Sequence, residues 1–265
     1  MEAVQEMFQY SQLCKEVLSD EDYCKLEVES YNSMDGEKSD LYDCPVCRNK
    51  KFVAFISPVY HDFTLKECDC VKTRKILANI RKSGFDKELQ SKTFDSYITN
   101  EPWQKNIKNL ALEFLKSNGS WFYAGGQSGS GKTHICTAVC NYMLGQGKAV
   151  KYVLWRKLVQ KLSANKFSDE YDNIISDITD YDAIYIDDFL KSSKIENELN
   201  IAFEIINSAY IKHKILIVSS ELTLDRINSF DEATAGRIIE RSSKFIIQIQ
   251  KNPDRNFRLR NISEL

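Results

Sequence analysis

A single short segment combines closely spaced glycines with a lysine and a hydroxyl side chain. It is Gly126-Gln127-Ser128-Gly129-Ser130-Gly131-Lys132-Thr133, which fits G-x-x-x-x-G-K-[ST] at every fixed position. Five of the ten glycines fall within residues 119–131, so the clustering is local. An apolar run precedes the segment and a helical apolar period follows it, which gives the order strand, loop, helix. This pattern predicts a phosphate-binding loop.

The chemistry expected of this loop follows from its backbone. Glycines let N–H groups converge on phosphate oxygens, and the N-terminus of the next helix adds a partial positive charge. The predicted phosphate ligands are Gly126, Ser128, Gly129, Ser130, Gly131, Lys132, Thr133 and the backbone N–H of His134. Lys132 is expected to contact the β- and γ-phosphates of ATP, and the Thr133 hydroxyl to ligate Mg²⁺. The alternative is a glycine-rich turn without a ligand.

Two carboxylates follow a second apolar run, at 183–186. They are Asp187 and Asp188, placed where a P-loop ATPase needs acids at the end of a strand. Asp187 is predicted to hold Mg²⁺ together with Thr133, and Asp188 to orient and polarise the attacking water. An acid pair after a strand can also cap a helix, which is the alternative. Combined with the phosphate-binding loop, the pair predicts an enzyme that hydrolyses ATP.

Four cysteines form two close pairs earlier in the chain. Cys44 and Cys47 are followed, after twenty residues, by Cys68 and Cys70. Four paired thiolates suit tetrahedral Zn²⁺ in a structural site, with a short hairpin through 52–56 and 63–65 between them. His61 could replace one ligand, and four free thiols are the remaining alternative. The eight cysteines of the chain are too sparse for a disulfide scaffold.

The order of further motifs resembles a known family. After the loop and the acid pair come Ser219-Ser220-Glu221, Gly236-Arg237-Ile238-Ile239-Glu240-Arg241 and a terminal Asn256-Phe257-Arg258-Leu259-Arg260. This order resembles the AAA+ ATPases that load the bacterial replicative helicase, the DnaC/DnaI type, including versions from Gram-positive bacteria and their phages. The resemblance covers roughly 85–262 and extends to Lys92-Thr93-Phe94-Asp95-Ser96-Tyr97 and Phe203-Glu204-Ile205-Ile206-Asn207-Ser208.

The resemblance implies roles for several residues near the end of the chain. Ser219 and Ser220 match the sensor-1 strand, Arg237 matches the arginine finger, and Arg258 matches the sensor-2 arginine. Arg237 would then act on the ATP of a neighbouring subunit. The alternative for Arg237 is a surface arginine that pairs with Glu240. The resemblance also implies three partners: a DnaB-type helicase hexamer, single-stranded DNA and further copies of the chain.

The elements that must position these residues follow from hydrophobic patterning. Apolar runs at 121–124, 149–154, 183–186, 215–218 and 245–249 alternate with helical stretches, which predicts an α/β fold with a parallel sheet flanked by helices. Helical spacing in 1–35 and in 72–82 predicts an N-terminal helical domain around the zinc site. The predicted domains are 1–84, with the zinc module at 44–70, and 85–265, an AAA+ ATPase domain that begins with a linker at 85–100.

Composition and charge exclude several classes of protein. Hydrophobic residues make up 43% and charged residues 28%, and no apolar run approaches the roughly 18 residues of a membrane span. The first residues lack the pattern of a secretory signal, which predicts a cytoplasmic location. A net charge of −2 excludes a uniformly basic nucleic-acid binder. Charge is uneven, however: residues 1–43 hold twelve acids and three bases, and 66–92 hold eight bases and four acids.

These features together predict an ATP-dependent loader of the replicative helicase onto single-stranded DNA at the initiation of replication, bacterial or phage-encoded. The resemblance implies that the N-terminal region binds the helicase, and its acidic helices would be the contact surface. Residues 155–166 mix Trp155 with Arg156, Lys157, Lys161 and Lys166, which suits DNA contact, although a solvated helix fits equally well. The alternatives are a transposition helper ATPase of the IstB type and an ATP-binding adaptor that sequesters a host helicase.

Overall fold

The computed structural model describes residues 19–38, 40, 42–117, 119–192 and 194–259. The chain forms two compact units, Met1–Lys75 and Ile76–Leu265. None of the helices in the described residues is both long enough and apolar enough to cross a membrane.

The N-terminal unit consists of a helix, a hairpin and the start of a second helix. Helix α1 is Asp20–Ser33, with Ser19 as its N-cap and three acids in its first turn, where they complement the helix dipole. Strands β1 (Phe52–Ile56) and β2 (Phe63–Glu67) pair antiparallel. The side chain of Asn32 holds α1 to the hairpin through two hydrogen bonds with the backbone of Ala54. The predicted hairpin is confirmed. Helices are also predicted within 1–35, but residues 1–18 of that range lie outside the described residues.

Helix α2 is Cys70–Ser83, which confirms the helix predicted at 72–82. The chain leaves this helix at Gly84, whose φ of 84° is in the left-handed region that ends helices without steric cost to glycine.

The second unit is built on five strands, all paired in parallel. They are β3 (Phe122–Gly126), β4 (Val150–Leu154), β5 (Ala183–Asp187), β6 (Ile215–Ser219) and β7 (Ile246–Ile249), in the spatial order β4-β5-β6-β3-β7. Every residue of β3 and of β5 is buried, which is why these strands are continuous apolar runs in the sequence. The predicted parallel sheet is confirmed at all five positions.

Helices cover both faces of the sheet. They are α3 (Lys87–Ser91), α4 (Pro102–Phe114), α5 (Lys132–Gly145), α6 (Trp155–Ala164), α7 (Glu170–Thr179), α8 (Leu199–Ile211), α9 (Leu224–Asn228) and α10 (Glu232–Ser242), with 3₁₀ turns at Ile195–Glu198 and Pro253–Arg255. Successive residues of β5 belong to opposite cores: Ile184 and Ile186 pack on one face, Ala183 and Tyr185 on the other. This confirms the α/β class with helices on both sides.

The order of the strands decides which loops meet. Strand β6 separates β3 from β5, and β7 lies on the other side of β3. The connection that leaves β3 runs to the β4 edge of the sheet, whereas the connection that leaves the neighbouring β6 runs the opposite way to β7. Ligands bind in open α/β sheets at the carboxyl ends beside such a switch point. The ends of β3, β5 and β6 carry the phosphate-binding loop, the acid pair and Ser219.

The segment 85–100 differs from the linker expected from its sequence. It contains α3 and buries Phe85, Leu89 and Tyr97 in the core that also contains α5. The Asn141 amide on α5 donates 2.9 Å hydrogen bonds to the carbonyls of Leu89 and Lys92. Three apolar side chains at irregular spacing supply enough contact to fix a segment that has little regular secondary structure.

Candidate nucleotide-binding site

The phosphate-binding loop has a backbone that glycines make possible. Gly129 and Gly131 have φ values of 73° and 87°, in the region that side chains with a Cβ rarely adopt. A Cβ on Gly129 would also lie 2.1 Å from the Asn256 side-chain oxygen. The close approach of 252–258 thus adds a second requirement for glycine in this loop.

Lys132 is buried within the loop. Its ammonium donates to the carbonyl oxygens of Gly126 at 2.9 Å and Gln127 at 2.6 Å. Burial lowers the pKa of Lys132, while the negative charges of Glu221 and Asp188 oppose the shift. Because a buried cation bonded to neutral carbonyls is poorly compensated, an anionic ligand in this loop is favoured.

Asp187 is the most heavily bonded group of the site. Its Oδ1 accepts hydrogen bonds from the hydroxyls of Thr133 at 3.1 Å, Tyr185 at 2.9 Å and Ser219. Its Oδ2 accepts from the Tyr152 hydroxyl at 3.2 Å. A carboxylate next to a threonine hydroxyl is an oxygen donor set that fits Mg²⁺. The residues present therefore fit the predicted metal, with Thr133 and Asp187 as its protein ligands.

Asp188 has a left-handed backbone, with φ 56°. Its carboxylate pairs with Lys191, which also pairs with Glu221 at 3.0 Å. Although burial opposes the shift, hydrogen bonds from Lys191 and Ser128 lower the pKa of Glu221. Glu221 is therefore ionised and paired with a cation, so its charge does not face the loop uncompensated.

His134, at the start of α5, joins the loop to the segment 93–97. Its Nε2 lies 3.0 Å from the Thr93 carbonyl oxygen and 3.1 Å from the Ser96 hydroxyl. The rings of His134 and Tyr97 pack edge to face at 5.3 Å. The sequence assigned a phosphate contact to the His134 backbone, and the structure adds a structural role for its side chain.

The C-terminal segment lies against the other side of the loop. Gln127 exchanges side-chain hydrogen bonds with the backbone of Asn252 at 2.8 and 2.6 Å. The Phe257 N–H donates to the Gly129 carbonyl at 3.0 Å. These contacts bring Arg258 to the cavity.

A cavity of about 960 Å³ unites most of the predicted residues. Its lining includes 128–134 of the loop, both acids Asp187 and Asp188, and Arg258. Gly126 is not part of the lining: it lies against β7, where a Cβ would come 2.1 Å from the Ile249 carbonyl oxygen. A volume of this size accommodates a nucleotide.

Arg237 lies outside this cavity. Its guanidinium donates to Asn207 at 3.1 Å and to the Ala233 carbonyl at 2.9 Å, and stacks 4.9 Å from the Phe203 ring. Within the described part of the chain no ion pair joins Arg237 to Glu240, which accepts a hydrogen bond from Tyr210 instead. The pairing considered as an alternative role for Arg237 is therefore wrong.

Trp155 is unavailable for base stacking. It is fully buried, packs edge to face on Phe189 at 4.9 Å and donates its indole N–H to Glu198 at 2.6 Å. Arg156, Lys157, Lys161 and Lys166 are exposed. The amphipathic period of α6 turns the aromatic inward and the bases outward, so the sequence-based suggestion that Trp155 stacks on DNA is wrong.

The four cysteines of the N-terminal unit lie together. Their sulfur atoms are all within 4.8 Å of one another, with Cys44–Cys68 at 3.8 Å and Cys47–Cys70 at 3.4 Å. Tetrahedral Zn²⁺ with bonds of about 2.3 Å requires sulfur separations of about 3.8 Å, so the cluster fits this metal. Backbone hydrogen bonds from Cys47 and then Val46 lower the pKa of Cys44 to about 7, against the effect of burial. His61 does not belong to the cluster.

Comparison with known proteins agrees with this geometry. The profile of the family described as IstB-like ATP binding protein matches residues 56–264. The chain belongs to this family. As an IstB-like protein it is a member of a group of ATP-binding proteins, and the fold is that of AAA+ P-loop proteins.

Individual relatives of this IstB-like protein are distant. "Uncharacterized protein YqaM" of Bacillus subtilis (strain 168) is 28% identical over 210 residues, which is 72% of this chain and 65% of that protein. The replicative helicase loader DnaC of Buchnera aphidicola subsp. Acyrthosiphon pisum (strain APS) is 24% identical over 152 residues, 54% of this chain and 59% of that protein. The chain thus spans less than two thirds of either relative.

A solved structure shows the same fold. The DnaC helicase loader superimposes with a TM-score of 0.52 at 17% identity, over 62% of this chain and 99% of that chain. The resemblance to the DnaC/DnaI group found in the sequence is confirmed.

Sequence patterns missed three residues of the site. Tyr152 and Tyr185 reach Asp187 from β4 and β5, and Lys191 joins the acid pair to Glu221. Tyr185 lies two residues before Asp187 in the same strand and so shares its face, which is a signal that the sequence contains. Tyr152 could not be found in this way, because its approach depends on β4 and β5 being neighbours.

Proposed function

We propose that this chain is an ATP-dependent loader of the replicative DNA helicase onto single-stranded DNA. The observation that supports it best is the division of the charged residues. One cavity holds the phosphate-binding loop, Asp187, Asp188 and Arg258, whereas Arg237 lies elsewhere on the same unit. Such a division fits an ATPase whose sites are completed between copies assembled on a larger partner.

Each residue of the cavity has a defined part in ATP hydrolysis. Lys132 and the N–H groups of the loop hold the phosphates, and Thr133 and Asp187 hold Mg²⁺. Bound Mg²⁺ supplies neutralisation of the phosphate charge. Asp188 accepts a proton from the water that attacks the γ-phosphate and orients it for in-line displacement. Arg258 contacts the nucleotide of its own subunit, and Arg237 that of a neighbour.

The N-terminal residues 1–84 are proposed to bind the helicase. Zinc at the four cysteines stabilises a unit whose visible core is small. The acidic helix α1, with three acids in its first turn, offers a charged surface for that contact. Residues 85–265 are proposed as the ATPase domain.

Single-stranded DNA is proposed to bind beside α6. Phe167, in the loop between α6 and α7, is 96% exposed, and the Lys166 ammonium lies 5.8 Å from its ring. An exposed aromatic next to lysines suits stacking on a base with phosphate contact. The sequence offered DNA contact by 155–166 as one of two equally fitting interpretations, and the residue that suits stacking is Phe167 rather than Trp155.

Two variants of the phosphate site test ATP hydrolysis. Lys132→Ala should abolish tight ATP binding, because the buried ammonium is lost from the loop. Asp188→Asn should bind ATP normally but lose turnover, because the amide cannot accept the proton. Binding of a labelled nucleotide and phosphate release measure the two effects. If both variants lost nucleotide affinity equally, the roles would be wrongly divided.

Loading itself is tested with purified components. A replicative helicase from the same host should transfer to circular single-stranded DNA when the wild-type chain and ATP are present, and not with Lys132→Ala. A transposition helper of the IstB type, favoured by the family profile, would instead stimulate a transposase and leave helicase transfer unchanged. An adaptor that only sequesters the helicase would bind it and block transfer without phosphate release.

A further inference from the structure

The loop that follows β5 is held in a strained conformation. Asp188 and Leu190 have φ values of 56° and 55°, although neither is glycine. Phe189 and Leu190 are buried, the Phe189 N–H donates to the Ser219 carbonyl at 2.9 Å, and the Ser220 hydroxyl donates to the Phe189 carbonyl at 2.7 Å. Strain of this kind persists only where surrounding contacts impose it, and it collects at functional sites. The loop thereby fixes the position of the Lys191 backbone, from which its side chain extends.

Lys191 bridges two carboxylates that face the same cavity as the phosphate-binding loop. Its ammonium lies 3.0 Å from the Glu221 carboxylate and 3.3 Å from the Asp188 carboxylate. Both acids and Lys191 line the cavity together with Lys132. Ser128 of the loop lines the same cavity as Glu221 and contributes to lowering the pKa of its carboxyl, which links this ion-pair group to the phosphate site.

Charge makes this arrangement responsive to a polyphosphate. Two carboxylates in one cavity repel an incoming phosphate group, and Lys191 is the cation that lies between them. A terminal phosphate presents three oxygens and about two negative charges, so it competes with a carboxylate for the same ammonium. ADP lacks that group and leaves the pairs in place.

We propose that Lys191 is a second lysine ligand of the terminal phosphate of ATP, which it contacts by releasing Asp188. The proposal rests on the ATP binding proposed above. Without ATP, Asp188 is paired with Lys191 and cannot serve the attacking water. With ATP, the γ-phosphate takes one hydrogen bond of Lys191, Glu221 keeps another, and the Asp188 carboxylate is freed. Lys191 thereby distinguishes ATP from ADP. Because binding of ATP frees the Asp188 carboxylate, the same contact makes Asp188 available to the attacking water.

Equilibrium binding of ADP and of a non-hydrolysable ATP analogue tests the proposal. In Lys191→Met, affinity for the analogue should fall about 10-fold or more, as expected for a lost charge-assisted hydrogen bond, while ADP affinity stays within about 2-fold. Lys191→Arg should recover part of the difference. Lys194→Met, in the same exposed loop, is the matched control and should bind both nucleotides as the wild type does. An equal change for both nucleotides in Lys191→Met would overturn the proposal.

A double variant separates contact from charge compensation. If Lys191 only neutralises its two carboxylate partners, then Lys191→Met combined with Glu221→Gln, or with both Glu221→Gln and Asp188→Asn, restores affinity for the analogue, and the proposal is wrong. If Lys191 contacts the phosphate, both combined variants bind the analogue more weakly than the corresponding variants that keep Lys191. Failure of the proposed ATP binding itself would look different, because the wild-type chain would then bind neither nucleotide and Lys132→Ala would change nothing.

Discussion

Four hydroxyl groups surround the buried carboxylate of Asp187. Thr133, Tyr185 and Ser219 donate to one oxygen and Tyr152 to the other. Because hydroxyls donate hydrogen bonds without adding charge, they compensate the burial of this carboxylate. At the scale of single residues, the proposed ligand of Mg²⁺ is thus held in place by groups that carry no charge themselves.

Removal of one of these hydroxyls should destabilise the fold. We expect Tyr185→Phe to lower the free energy of unfolding by about 1–3 kcal/mol, because a fully buried donor to a charged acceptor is lost without a change in shape. Urea denaturation followed by circular dichroism measures the change. Tyr142→Phe on α5 is the control, since that side chain is about half exposed. Equal stability of Tyr185→Phe and the wild type would mean that the hydrogen bond contributes nothing to stability.

At the scale of elements, the segment 93–97 is attached to the start of α5 through His134. The imidazole is bonded to Thr93 and Ser96 and packed on Tyr97. Burial lowers the pKa of His134. The Thr93 carbonyl raises this pKa, and the positive charge of Lys92 lowers it further. Burial, the largest of these influences, therefore favours the neutral imidazole at this position.

The burial of His134 should make the folded protein less stable in mild acid. In the unfolded chain His134 titrates near 6.5, above its pKa in the folded protein, so the unfolded state binds more protons in the interval between the two values. The free energy of unfolding then decreases as pH falls below about 6.5. We expect the decrease between about pH 7.5 and about pH 5.5 to be smaller in His134→Gln than in the wild type. His213→Gln, an exposed histidine, should retain the wild-type dependence, and a His134 variant that also retained it would refute the assignment.

The zinc module is the second element with a specific expectation. Four buried sulfurs at tetrahedral separations predict about one zinc per purified chain by metal analysis. Cys47→Ser should lose most of the metal and make the N-terminal unit sensitive to protease, because the ion links the chain before the hairpin to the chain after it. Cys24→Ser is the matched control, since Cys24 lies outside the cluster. Wild-type protein prepared without chelator but free of zinc would contradict the assignment.

At the scale of the whole molecule, the proposed role of Arg237 as an arginine finger would leave a single copy of the chain without a complete site. The guanidinium is held by Asn207 and Phe203 on α8, away from the cavity that contains Lys132. Isolated protein should therefore hydrolyse ATP slowly, and helicase with single-stranded DNA should raise the rate by aligning several copies. A trans-acting arginine is worth about 10³–10⁵ in rate in well-studied phosphoryl-transfer systems, so even partial engagement is measurable.

Mixing two inactive variants tests this division between copies. Lys132→Ala subunits bind ATP poorly but still carry Arg237, so they should restore turnover to Arg237→Ala subunits, which bind ATP normally. Phosphate release from the mixture is compared with each variant alone, under conditions where the wild type assembles. Arg258→Ala should not be rescued in this way if Arg258 acts, as proposed, on the nucleotide of its own subunit. If the mixture stays inactive, Arg237 is not an arginine finger.

Features that depend on neighbouring residues could be predicted from the sequence of this protein. Five apolar runs became the five strands, and the hairpin between the cysteine pairs formed where expected. The loop at 126–133 and the acid pair were identified for the same reason. Each of these features consists of contiguous residues, and their periodicity or spacing reflects backbone geometry directly.

Other features of the site depend on contacts between segments that are distant in the sequence. The order β4-β5-β6-β3-β7 brings Tyr152 and Ser219 to Asp187, and the packing of 252–258 brings Arg258 to the loop. Contacts between distant segments also account for three other features: the burial of Trp155, the packing of 85–100 and the ion pair between Lys191 and Glu221. None of these contacts produces a periodic pattern in the sequence. Each depends on which strands are neighbours in the sheet and on which loops meet at the ends of those strands.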